Sequence, residues 1–213
     1  MTAASDVIAQ ALQGIRLLDH PFYVRWQRGE LSRDDLRDYA SQYRHFEAML
    51  PTFLEELVRV APTPARDAVA ANLSDELGPP THLELFDQFV DELGADAADP
   101  TPATTELLGA YASLLRDGSA TALAGLAAYE IQAAGIATTK ADGLRTHYGI
   151  RGDGLRFWDV HGVTEDDHAA WTLDALESLG SATADVSSAA EAVATAWWGF
   201  LDERERVVQT QAV

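Results

Sequence analysis

His161, Glu165 and His168 fall within one short stretch, HGVTEDDH. Glu165 and His168 are three residues apart, so on one helix they project from the same face. His161 joins that face only if the helix runs unbroken. Gly162, followed by Thr164 as a fresh N-cap with Asp167, predicts instead a break and ligands free to swing. Two imidazoles and a carboxylate make a nitrogen–oxygen set suited to a first-row metal, although each histidine alone reads equally well as an ordinary one. Glu130 is the only charge between Ser119 and Thr139, on a helix apolar nearly all round. A buried, unpaired carboxylate is costly, so Glu130 must be protonated and hydrogen-bonded, ion-paired or metal-bound. Glu76 ends its helix on the stripe of Val69 and Leu73, where the dipole disfavours an acid. His82 lies beyond Gly78-Pro79-Pro80, close enough for a chain reversal to bring the pair together; by itself the pair is a weak signal.

Three carboxylates and three histidines on separate helices match in kind the carboxylate-bridged dimetal sites of helical bundles. Such ligands suit Fe(II) or Mn(II), which reduce dioxygen; on ligand types alone a zinc hydrolase stays open. Tyr23, Tyr39 and Tyr43 read first as packing aromatics. His20 reads as a cap, and His45 and His147 as solvated. Lys140 is the only lysine among fifteen basic residues.

The elements that must position these groups are all helical. Expected helices cover about Ser5 to Leu18, a short segment after His20-Pro21 ended by Gly29, and a long one opened by Ser32 with Asp35 as an acidic capping box. Pro51 should kink that helix. Others follow at Ala65 to Leu77, Thr81 to Leu93, 102–116, 119–147, 155–161, Thr164 to Leu179 and Ala184 to Val208. ADAADPTP (95–102) is the best linker, too short and central to separate domains. The expectation is one all-α, single-domain bundle over 1–213, with about eight to ten helices. Trp197, Trp198 and Phe200 read as core, with a homodimer contact as the alternative.

The 213 residues carry a net charge of −19, which disfavours nucleic acid and anionic membranes as partners. No cysteine is present, so disulfides, thiolate sites and a cysteine nucleophile are excluded. MTAASDVIAQ has no basic or apolar signal region, and Glu130 and Gln132 spoil Ser119 to Thr139 as a membrane span. A cytoplasmic protein working on small molecules is expected.

HPFYVRWQRGELSRDDLRDYASQY, NLSDELGPPTHLELF, YEIQAAGIATTK and FWDVHGVTEDDH, in that order, resemble the heme-oxygenase-like fold of the TenA/PqqC superfamily over about residues 15 to 170. Thiaminase members need a cysteine nucleophile, which is missing here. The pattern is most similar to the dimetal oxidases of the superfamily, and among them to the CADD-type 4-aminobenzoate synthases. The resemblance implies two transition metals, Fe/Fe or Mn/Fe, held by Glu76, His82, Glu130, His161, Glu165 and His168. It implies dioxygen and an external reductant as co-reactants. Lys140 falls on that family's essential lysine, and Tyr23 and Tyr39 on two tyrosines near its metals, one of them consumed as substrate; Tyr129 also matches. Glu165 stands where the family has Asp, Phe86 replaces the usual Trp, and the Glu76–His82 interval is one residue shorter. The implied activity is a self-sacrificing 4-aminobenzoate synthesis that feeds folate. The alternatives are oxidation of a diffusible amine, amino acid or fatty acid, and a non-catalytic binding or interaction protein.

Overall fold

The computed structural model describes residues 3–211; the ends of the expected 1–213 domain, residues 1–2 and 212–213, lie outside them. Nine α-helices make up the described chain: α1 Ala4–Ala11, α2 Pro21–Arg28, α3 Arg33–Val60, α4 Thr63–Glu76, α5 His82–Leu93, α6 Pro102–Asp117, α7 Ser119–His147, α8 Asp153–Ser178 and α9 Thr183–Gln211. A 3-10 turn covers Leu17–Asp19, so the first expected helix stops earlier than its apolar pattern suggested.

Local chemistry sets the boundaries. His20 Nδ1 accepts from the Phe22 amide and Pro21 occupies the first turn, which starts α2; Gly29, at φ 69°, ends it in the left-handed conformation. Ser32 with Asp35 and Thr81 with Glu84 form reciprocal capping boxes at the starts of α3 and α5. The α3 helix continues through Pro51 to Val60. The expected linker is pinned to the domain: Gln42 Nε2 donates to the Asp99 carbonyl, and Gln42 Oε1 accepts from the Thr101 amide.

The α7 helix is the central post, buried along most of its length and packed against α2, α6, α8 and α9. Its Ala and Gly residues let those neighbours approach closely. A Cβ at Gly143 would sit 2.7 Å from Trp26 Cδ1 and 3.1 Å from the Trp26 carbonyl oxygen. Trp26 Nε1 in turn donates to the Lys140 carbonyl at 3.2 Å. Gly143→Ala should therefore destabilise the fold by about 1–3 kcal/mol, read from urea denaturation, because backbone as well as a ring must shift.

The expected break at Gly162 does not occur. The α8 helix is continuous from Asp153 to Ser178, and Thr164 lies inside it with its hydroxyl donating back to the Val160 carbonyl. Gly162 serves packing instead: a Cβ there would meet Thr138 Oγ1 of α7 at 3.0 Å. Trp197 and Phe200 are fully buried in the protomer's own core. None of the described helices is long and apolar enough to cross a membrane.

Candidate metal centre

The unbroken α8 puts His161, Glu165 and His168 on one inward stripe, one turn apart in succession. Glu76 closes α4, His82 opens α5, and the Gly78-Pro79-Pro80 reversal brings the two together. Glu130 enters from the middle of α7. All six side chains are buried, His161 being the most exposed at 6%. His82 Nδ1 lies 3.0 Å from Glu76 Oε1, yet without the alignment of a hydrogen bond. His161 Nε2 is 3.6 Å from Glu165 Oε1, and His168 Nδ1 is 3.8 Å from both Glu76 Oε1 and Glu165 Oε2. Ligand atoms of Glu76, His82 and His161 all fall within 4.8 Å of one another.

The histidine tautomers follow from their outer partners. His161 Nδ1 is 2.8 Å from the Phe157 carbonyl, which can only accept, so Nδ1 carries the proton and Nε2 offers a lone pair inward. His168 Nε2 is 2.8 Å from Asp75 Oδ2, which leaves Nδ1 facing Glu76 and Glu165. Carbonyl and carboxylate partners on the far ring nitrogen are what orient metal-binding histidines. Asn72 Nδ2 donates to Glu130 Oε1 at 2.7 Å, while Glu130 Oε2 has no partner. Glu47 Oε2 on α3 is also unpartnered and buried. The Glu76, His82 and His161 atoms lie close enough to hold one cation, and the nitrogen–oxygen donor set suits iron or manganese.

The electrostatics say the same. Burial pushes the Glu165 carboxyl well above its ordinary range, and Glu130, Glu76 and Glu47 push it further. Burial raises Glu130 too, eased by Thr172, His168 and Asn72. Burial holds His161 well below the usual imidazole value, and His82 adds to that. At His82 burial acts downward but Glu76 and Asp75 outweigh it, leaving the ring raised. A divalent cation would relieve the crowding of buried carboxylates.

Against this cluster stands a second one. Lys140 is 1% exposed, and its amine donates to the Tyr39 hydroxyl. The Tyr39 hydroxyl is in turn 3.0 Å from that of Tyr23. Five rings enclose the nitrogen, with Trp158 at 4.3 Å and Tyr23, Tyr43, Tyr39 and Trp26 between 4.7 and 5.9 Å from ring centre. Tyr43 is hydrogen-bonded to Tyr129, the neighbour of Glu130. Burial holds all four phenols above their usual value, so they are neutral. Burial also drives the Lys140 ammonium well below the usual lysine value, with Glu47 opposing. The ring faces favour the cation, but by less than a full loss of hydration costs.

An unfolded lysine stays protonated up to about pH 10.4, whereas the folded chain sheds this proton earlier. Between those values the unfolded state holds the extra proton, so stability rises with pH by up to about 1.4 kcal/mol per unit. Lys140→Met should thus be more stable than the parent at pH 7, by a margin that shrinks toward pH ~10. Denaturation curves across that range check it; a margin constant with pH would refute the neutral amine.

Glu76, His82, Glu130, His161, Glu165 and His168 thus lie around the first cluster, and Tyr23, Tyr39 and Lys140 in the second. Asp75, Asn72, Thr172 and Glu47 were missed. Asn72 precedes Glu76 by one turn and Thr172 follows His168 by one turn, a register that could have flagged both. A groove of about 590 Å³, bordered by Val7, Leu176 and Val186, shares no residue with either cluster.

Buried carboxylates and histidines on facing helices are the donor set that metal-dependent redox bundles use. The chain belongs to the haem-oxygenase-like family of iron-containing redox enzymes, whose profile matches residues 37–201. It is 32% identical to the 4-aminobenzoate synthase of Nitrosomonas europaea, covering 90% of this chain and 86% of that one. It is 30% identical to the 4-aminobenzoate synthase of Chlamydia trachomatis, covering 92% and 90%. The fold superposes on a CADD-like protein of unknown function from Nostoc punctiforme with a TM-score of 0.81, at 18% identity and 96% coverage of both chains. A TenA homologue from P. horikoshii superposes with a TM-score of 0.79, at 17% identity, covering 96% of this chain and 99% of that one.

Proposed function

We propose that the chain is a dioxygen-activating, non-heme dimetal oxidase that makes 4-aminobenzoate from its own side chains. Tyr23 or Tyr39 supplies the ring, and Lys140 supplies the nitrogen. The observation that carries this reading is Lys140 itself: the only lysine in the chain, fully buried, and hydrogen-bonded to a phenol beside the carboxylate–histidine cluster. Glu76, His82, Glu130, His161, Glu165 and His168 would hold two metals, Fe/Fe or Mn/Fe. When bound, these supply the reduction of dioxygen, with an external reductant providing electrons.

The product's structure dictates what the protein must do. 4-Aminobenzoate keeps a para-substituted ring with one single-carbon arm. The tyrosine Cα–Cβ bond therefore breaks, dioxygen oxidises Cβ to a carboxylate, the Lys140 Cε–Nζ bond breaks as nitrogen passes to the ring, and the phenol oxygen leaves as water. A neutral amine is the competent nucleophile for that exchange, and burial in the aromatic box shifts Lys140 toward that form. The same box excludes water from the reacting ring.

A built-in substrate also agrees with the space available. The cavity bordered by Tyr43, Tyr129, Phe157, Trp158, His161 and Glu165 measures about 10 Å³. That is room for about one water, or for a molecule as small as dioxygen, and not for an amino acid or fatty acid. The test is to react metal-loaded protein with dioxygen and a reductant, then measure intact mass and released 4-aminobenzoate. At most one product per chain, with a matching loss of mass, is expected. Many turnovers on an added substrate would overturn the reading.

A further inference from the structure

Glu47 was not among the residues that the motifs of this chain pick out, and the chemistry just described does not use it. It lies on α3, one turn beyond Tyr43 and two beyond Tyr39, so the helix face that carries both phenols continues to this carboxylate. It is 4% exposed, and its Oε2 has no hydrogen-bond partner. The α3 helix packs against α4, α5 and α7, the helices that carry Glu76, His82, Glu130 and Lys140. A carboxylate in the middle of an apolar stripe, with one oxygen unsatisfied, is the most costly way to fill that position unless something binds it.

From this placement we propose that Glu47 is a seventh protein ligand of the metal centre, completing its charge balance. The inference rests on the dimetal reading above. Two divalent cations bring four positive charges, while Glu76, Glu130 and Glu165 return only three. Of the other buried carboxylates, Asp35 serves the capping box of α3 and Glu205 pairs with Arg25, which leaves Glu47 to complete the balance; a neutral cluster is the cheapest one to bury. Asp75 does not fill that place: it is 41% exposed, and it serves the far nitrogen of His168. Lys140 does not pair with Glu47 either: its amine is engaged with the Tyr39 hydroxyl inside the aromatic box. The α3 helix thereby gains a ligand on the same face as Tyr39 and Tyr43, which ties the phenols to the metals mechanically.

The experiment is anaerobic titration of the metal-free full chain with Fe(II) and with Mn(II), comparing the parent, Glu47→Gln and Glu47→Asp. Metal per chain, binding isotherms and Mössbauer spectra of the iron-loaded protein are the readouts. The parent should take up two metals. Glu47→Gln should bind the second at least ~10-fold more weakly, the lower bound seen for groups that only support a ligand, with an altered Mössbauer signature. Glu47→Asp should recover part of that loss. In the metal-free state Glu47→Gln should melt no lower than the parent, because the amide fills the same volume without placing an ionisable group in the core, so a folding defect cannot imitate the result. Two metals bound by Glu47→Gln with parent affinity and spectra would overturn the assignment, even if Lys140 became more or less reactive toward amine reagents. A parent chain that binds no metal would instead remove the dimetal reading itself.

Discussion

Lys140→Met should release no 4-aminobenzoate while binding metals as the parent does. The two changes pull in opposite directions, which makes the result hard to imitate. Methionine matches the length of the lysine stem and removes an amine that burial makes costly, so the variant is expected to fold at least as stably. It has no nitrogen to give. Lys140→Arg completes the comparison: a guanidinium keeps its proton under all working conditions and cannot act as a nucleophile. Tyr39→Phe and Tyr23→Phe identify the ring. Tyr39 holds the amine directly, whereas Tyr23 reaches it through the Tyr39 hydroxyl. The sacrificed residue should give no product when changed to Phe; the other should give less, since its loss only disturbs the hydrogen-bond chain. The loss should exceed ~100-fold, a barrier increase of about 2.7 kcal/mol or more. Full yield from Lys140→Met would remove the lysine from the chemistry, and unchanged yield from both phenylalanine variants would end the self-sacrifice reading.

How much of this was legible in the residue order depends on what kind of signal each element carries. Capping boxes are local, so the starts of α3 and α5 could be placed at Ser32 and Thr81. Glu130 was legible because its helix is apolar on every side, which leaves a lone charge no solvated face to occupy. Glu47 was not, because α3 is amphipathic and rich in acids on its outer face. One more glutamate there looks like another solvated group until its neighbours are known. Gly162 misled for a related reason. Glycine marks both helix ends and close helix contacts, and only the approach of Thr138 from α7 decides between them. The family resemblance rested on motif order, so the residues it named on α8 did not depend on the local reading of that helix as two, which failed.

On the dimetal reading, Glu130→Gln should cost the protein at least one metal, and this is the largest effect expected at the ligand cluster. The substitution is nearly isosteric. Its amide oxygen can still accept from Asn72 Nδ2, the 2.7 Å bond that now holds Glu130 Oε1. What it removes is the charge on a group whose second oxygen has no partner in the protein. Loss of an outer partner of a metal ligand already weakens binding by about 10–100-fold, and loss of the ligand itself should exceed that. Thermal unfolding gives a second readout. A metal present at 100 times its dissociation constant stabilises the fold by about 2.7 kcal/mol per independent site. The parent should gain from two such sites and Glu130→Gln from one at most. In the metal-free state the order should reverse or level, because burial raises the Glu130 carboxyl and its ionised form is a burden there. A variant that matched the parent in metal content and in metal-induced melting shift would show that Glu130 is an ordinary protonated core acid held by Asn72 and Thr172. The α7 helix would then have no part in the centre.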